Sequence, residues 1–128
     1  MILVDTSVVI DYTRGQDARL VALLPTLSVA TCGVVRAELL SGARDPKHRA
    51  TIASLMATFQ HIPIPEWLWD KIGDNLAALR VSGITVPLPD VVIATVGIEN
   101  DIEVWARDAH FSRMQSVLPR LKLFQEPP

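Results

Sequence analysis

Cysteine, aromatic residues and long apolar runs are all scarce in this chain. One cysteine, Cys32, stands among 128 residues. An internal disulfide is excluded, and a reducing, cytoplasmic compartment is the expectation. Its neighbours in Val29-Ala30-Thr31-Cys32-Gly33 are small or apolar, so the thiol is expected to pack rather than react. No apolar stretch approaches the roughly 20 residues of a membrane span. No basic segment precedes an apolar one, so neither a secretory leader nor a membrane partner is expected. Charge of one sign is lacking too: 12 Lys and Arg against 14 Asp and Glu leave a net −2. That is not the basic balance of a nucleic-acid coat protein. It leaves room for a nucleic-acid enzyme, because cations held by carboxylates reverse the local field.

What the chain does have is apolar content, 49% hydrophobic residues with a mean hydropathy of +0.29. Residues 1–128 read as a single domain, long enough to bury roughly two-thirds of the surface of its unfolded chain. Short β-like runs alternate with helical ones. Ile2-Leu3-Val4 reads as a buried strand. A helix is expected to start over 8–12 and fade before Gly15, and Asp17 to cap a second one reaching Pro25. A strand over 27–31 and a helix over 34–43 follow. Asp45-Pro46 is a helix start, an N-cap with proline at the first helical position, and Ile52, Leu55, Met56 and Phe59 form its stripe. A brief strand is expected over 61–64. A long helix over 66–81 carries Leu68, Ile72, Leu76 and Leu79 on one face and ends at Gly83. Pro87 and Pro89 are expected to break the chain before a helix over 91–99, with Asn100 as a left-handed stop. The fourth strand is expected over 102–105 and an edge strand over 121–124. Strands separated by helices imply right-handed crossovers and a mostly parallel sheet, with ligand crevices beyond the carboxyl ends of its strands.

Acidic residues stand near those ends. Asp5 follows the first strand, Glu38 lies one helical turn after the second, and Asp108 comes shortly after the fourth. Asp90 opens the helix before the fourth strand. Singly, Asp5, Asp90 and Asp108 each read as a helix cap. Glu38 is sharper. Its helical neighbours are Val34, Val35, Ser41 and Gly42, a small-to-apolar stripe on which an isolated carboxylate costs several kcal/mol. Pairing with Arg36 or Arg107 would relieve it. As a set, four converging acids without cationic partners raise one another's pKa, and a divalent cation removes that repulsion. Oxygen-only ligands point to Mg²⁺ or Mn²⁺, and hence to phosphodiester hydrolysis as the reaction class.

The motifs carry a resemblance. Asp5-Thr6-Ser7-Val8-Val9-Ile10-Asp11 resembles the opening of PIN-domain nucleases, specifically VapC-type toxins of toxin–antitoxin pairs. Glu38-Leu39-Leu40-Ser41-Gly42, Asp90-Val91-Val92-Ile93-Ala94 and Asp108-Ala109-His110-Phe111 are similar to the family's second, third and fourth motifs. The resemblance implies a three-layer α/β/α fold, α/β in class, with a mostly parallel central sheet of four to five strands. It implies a Mg²⁺-dependent endoribonuclease (Mn²⁺ substituting), a homodimer, and inhibition by a cognate antitoxin protein. Carried over by position, Asp5, Glu38, Asp90 and Asp108 are the catalytic metal ligands on an RNA substrate. Ser7 and Thr6 would hold a carboxylate or water in place. Two positions depart from the family pattern: Ala106, where threonine is frequent, and His110, where a further aspartate is frequent. One-ion and two-ion schemes stay open, and His110 is expected at the surface.

Arg107, beside Asp108, and Arg36 are the expected phosphate contacts; Arg36, Arg44, Lys47 and Arg49 form a basic segment that reads equally as a solvated helix end paired with Asp45 and Glu38. Of Trp67 and Trp69, one is expected to pack and the other to be partly exposed. Lys71 and Asp74 read as ordinary helix charges, and Asp11 as an exposed or capping carboxylate. Three other readings share parts of this pattern: a metal-dependent DNA nuclease, a catalytically silent PIN-like binding subunit, and a receiver-like phospho-acceptor. The last lacks a lysine directly after a strand and leaves Glu38 unexplained.

Overall fold

Ile2, Leu3 and Val4 offer no polar face to water, and a strand apolar on both sides belongs inside a parallel sheet. In the computed structural model, which describes residues 1–128, β1 spans Ile2–Val4 and all three side chains are buried. β2 (Val29–Cys32), β3 (Gln60–Ile62) and β4 (Glu103–Trp105) join it in the order β3-β2-β1-β4, every pairing parallel. The expected fifth strand is reduced to one parallel bridge, Val104 to Leu123. The sheet therefore has four strands and is wholly parallel.

Helices fill each crossover. α1 (Thr6–Arg14) and α2 (Ala18–Leu23) link β1 to β2, and α3 (Gly33–Ser41) and α4 (Pro46–Met56) link β2 to β3. α5 (Leu68–Val81) and α6 (Leu88–Glu99) link β3 to β4, and α7 (His110–Gln115) follows β4. The caps act as read. Asp17 accepts the N–H groups of Arg19 and Leu20, both at 3.1 Å, and Asp45 accepts that of His48 at 2.8 Å. Gly15 closes α1 at φ +68°, a left-handed position that glycine takes without strain. No helix is long and apolar enough to cross a membrane.

Three local expectations need correction. α6 begins at Leu88, before Pro89. A proline in the first turn forfeits no helical hydrogen bond, so Pro89 starts the helix that it was expected to hold off. Asp90 thereby falls in the first turn of α6. Asn100 is right-handed at φ −99°, and the left-handed residue is its neighbour Asp101 at φ 54°. Trp67 and Trp69 are both exposed, at 57% and 44%.

α6 is the core helix. Every residue from Asp90 to Ile98 is buried, which a helix apolar around its whole circumference requires. It packs on α3, α5 and β4. Gly97 permits the last contact: a Cβ there would lie 2.5 Å from Val104 Cγ2. The strand order also fixes where a crevice opens. The chain leaves β1 toward β2 on one side and returns to it as β4 on the other. Beyond the carboxyl ends of β1 and β4 the crossovers diverge, which is the ligand position in open parallel sheets.

Candidate active site

Asp5 sits at that divergence. Its backbone N–H donates to the Trp105 carbonyl at 2.8 Å, pinning the end of β1 to the end of β4. Its carboxylate is 3% exposed. Oδ2 accepts the Ser7 N–H at 3.2 Å and the Ser7 hydroxyl at 2.6 Å. Asp5 is thus an N-cap of α1, but that role does not account for its electrostatics. Burial pushes its carboxyl up to about 6. The Ser7 hydrogen bonds pull it back, and repulsion from Asp108 and Asp90 adds to the rise. The Ser7 hydroxyl in turn accepts the Arg107 N–H at 3.0 Å, so its own proton is directed at Asp5.

The other acids arrive from three further elements. Glu38 comes from α3 and accepts the Thr6 hydroxyl at 2.8 Å. It makes no ion pair with Arg36 or Arg107. Asp90, 8% exposed, comes from the first turn of α6, and burial raises its carboxyl. A hydrogen bond from His110 lowers it again, while Asp108 and Glu38 repel it. Asp108 comes from the loop after β4 and accepts the His110 N–H at 2.9 Å. Asp108 and Asp90 repel Asp5, Asp108 and Glu38 repel Asp90, and Ser7 and Thr6 each hold one acid.

His110 lies partly at the surface, as expected, with 38% of its side chain exposed, but it has a partner. It is not a free surface side chain: its Nδ1 lies 2.6 Å from Asp90 Oδ2 and 3.8 Å from Asp108 Oδ1. The available signal was its position, two residues past Asp108, within the stretch that resembles the family's fourth motif. Asp90, Asp108 and His110 offer three ligand atoms within 4.8 Å of one another. Two carboxylates and one imidazole at that spacing are donors that could hold a divalent cation, by their chemistry one nitrogen beside oxygens.

Of the two arginines expected to meet phosphate, Arg107 is engaged by carboxylates and Arg36 is exposed. The Arg107 guanidinium is held by Asp11 at 3.2 Å, Asp17 at 2.9 Å and Glu126 at 2.7 Å. Three carboxylates compete with any phosphate for it, and Asp11 gains a structural role as one of them. Glu126 also accepts the Trp105 indole N–H at 2.9 Å, so this cluster ties the C-terminal tail to β4 and to the loop bearing Asp108. Arg36 is exposed on α3, two positions from Glu38, a spacing that turns the two side chains apart. Arg14, Arg44 and Lys47 line a groove that Glu38 also lines. Cys32 lies buried behind the acids, and burial pushes its thiol up, which makes it an inert packing group.

The PIN domain family matches residues 2–117. The chain belongs to the PIN-domain family. Ribonuclease VapC32 of Mycobacterium tuberculosis is 31% identical over 109 residues, which is 84% of this chain and 85% of that protein. Among solved structures, VapBC2 from Rickettsia felis, bound to a DNA fragment from its promoter, superposes with a TM-score of 0.84. It is 16% identical and covers 97% of this chain and 98% of its own. FitAcB from Neisseria gonorrhoeae gives 0.79 at 22% identity, covering 98% of each chain. At such identities the two structures establish the fold, the four-stranded parallel sheet between helices described above. In this PIN domain the four acids stand near the carboxyl ends of the strands, and His110 touches Asp90.

Proposed function

We propose that this PIN domain is a divalent-cation-dependent endoribonuclease and the toxin of a type II toxin–antitoxin pair. The observation that carries the reading is the convergence of Asp5, Glu38, Asp90 and Asp108 at one sheet edge, with the Asp5 carboxyl pushed up to about 6. Such a concentration of buried acid lowers stability unless a cation or proton offsets it. The name of the M. tuberculosis relative, a ribonuclease, supports RNA as the substrate. The toxin–antitoxin complexes among similar structures support a cognate antitoxin as partner.

Asp90 and Asp108 would hold the ion, with Asp5 and Glu38 closing the site around it. A cation bound there lowers the pKa of a bound water and offsets charge on the scissile phosphate. Ser7 keeps the Asp5 carboxylate oriented, and Thr6 does the same for Glu38. His110 Nδ1, 2.6 Å from Asp90 Oδ2, holds that carboxylate in place. Mg²⁺ is the ion that the four carboxylates favour, with Mn²⁺ able to replace it. One specific observation adds a second reading: the imidazole of His110 favours Mn²⁺, since nitrogen donors suit it better than Mg²⁺.

The test is cleavage of RNA by the purified protein with added Mg²⁺ or Mn²⁺. Asp5→Asn and Asp90→Asn are each expected to abolish it, and full activity in both variants would sink the reading. Equal cutting of the matching DNA strand would favour a DNA nuclease instead. Absence of any cation site by calorimetry would favour a silent binding subunit. The exposed pair Trp67 and Trp69 supports a protein-facing surface, for a second copy or the antitoxin. Sedimentation equilibrium of the isolated chain tests the homodimer, and a strictly monomeric result removes it. A cytoplasmic location agrees with the unpaired buried Cys32.

A further inference from the structure

Four acids alone repel a polyanion, so a strand to be cut needs cations along its approach. Arg107 does not supply them, being held by three carboxylates. A groove of about 660 Å³ begins at Glu38 and runs between α1, α3 and α4. Arg14 from the last turn of α1, Arg44 from the loop before α4 and Lys47 from the first turn of α4 line it. None of the three makes an ion pair. Asp45, among them, is occupied in capping α4. His48 accepts the Arg44 N–H on Nδ1 at 3.0 Å, so its neutral ring carries the proton on Nε2 and adds a donor. The smaller cavity elsewhere, about 260 Å³, offers no such field, because its Lys71 and Arg120 are both paired with Glu99.

We propose that this groove binds the backbone of the RNA strand flanking the scissile phosphate, with Arg14, Arg44 and Lys47 as its phosphate contacts. The inference rests on the ribonuclease reading and deepens it. Continuity with Glu38 favours a substrate strand over an acidic protein segment, because a polymer cut at the acids must lie along a surface that adjoins them. The groove reads charge and not base edges, so it contributes affinity without sequence preference.

The test measures binding of a fluorescent, mixed-sequence single-stranded RNA by anisotropy across a salt series. Asp5→Asn serves as the non-cleaving background, with Mg²⁺ present. Replacing Arg14, Arg44 and Lys47 together by Gln is expected to weaken binding about tenfold or more. The slope of log affinity against log salt should shrink by about 2, roughly 0.7 per lost phosphate contact on a single strand. A control removing three unpaired cations elsewhere, Arg19→Gln, Arg80→Gln and Arg113→Gln, should keep most of the slope. Thermal unfolding verifies that both triple variants fold, and the single variants, each expected to lose about a third of the effect, serve if one does not. An unchanged slope, or an equal loss in the control, overturns the proposal. So does a groove variant that keeps RNA binding but loses binding to a poly-glutamate peptide, which would assign the groove to a protein partner. The protein with its native Asp5 separates the two levels. If it cleaves this RNA while the groove variant's slope is unchanged, only the groove assignment fails. If it neither cleaves nor binds RNA, the ribonuclease reading fails with it.

Discussion

Replacing Asp5 with asparagine is expected to make the cation-free protein more stable near neutral pH, although it removes cleavage. Asp5 is 3% exposed, and its carboxyl is pushed up to about 6 from an ordinary value near 3.8. The folded chain therefore holds that proton more tightly than the unfolded chain does. Below about pH 4 the carboxyl is protonated in both states and costs nothing. Between about pH 4 and 6 the unfolded chain ionises first, so stability falls as pH rises. Above about pH 6 both states are ionised and the whole cost stands, about 3 kcal/mol at most. Asparagine removes the charge and keeps an oxygen for the two Ser7 donors. If 1–3 kcal/mol is recovered, Tm rises by about 3–10 °C for a domain of this size. The assay is thermal unfolding in EDTA at pH 4 and pH 8. The two proteins should nearly coincide at pH 4 and diverge at pH 8, with the asparagine variant higher. Saturating Mn²⁺ should raise the protein with Asp5, by about 2.7 kcal/mol at 100 times Kd, and raise the variant much less. A less stable variant at pH 8 in EDTA, or a difference that ignores pH, refutes the reasoning.

His110→Asn should narrow the preference for Mn²⁺ over Mg²⁺ in calorimetric titrations, because it removes the nitrogen donor. An unchanged ratio of affinities would show that His110 stays out of the coordination sphere. Gly97→Ala should destabilise the fold by about 1–3 kcal/mol in urea unfolding. Its Cβ would sit 2.5 Å from Val104 Cγ2, a stiff and fully buried side chain, which outweighs the helix propensity gained. Arg107→Gln should cost about 1–2 kcal/mol at low salt by leaving Asp11, Asp17 and Glu126 to repel one another, and less in 1 M NaCl. Faster amide exchange over 122–126 should accompany it, and an undisturbed tail would contradict the tether.

Each element that the sequence determined rests on neighbours in the chain. Three consecutive apolar residues before Asp5 make a buried strand, Asp45-Pro46 starts a helix, and the spacing of Leu68, Ile72 and Leu79 defines a helix face. Chain order also delivers Asp5 and Glu38 just after parallel strands, so their place at one edge could be read without coordinates. Tertiary structure decided what depends on distant partners. Arg107 looked free for phosphate because its partners Asp11 and Glu126 lie 96 and 19 residues away. The contact of His110 with Asp90 was hidden because Asp90, 20 residues earlier, reaches it only once α6 packs against α7. The burial of α6 on all sides, its start at Leu88 and the left-handed turn at Asp101 likewise follow from how the helix must enter the core and leave it. Propensity and periodicity act over a few residues. Charge pairing and burial act over a few ångströms, and only the folded chain converts one into the other.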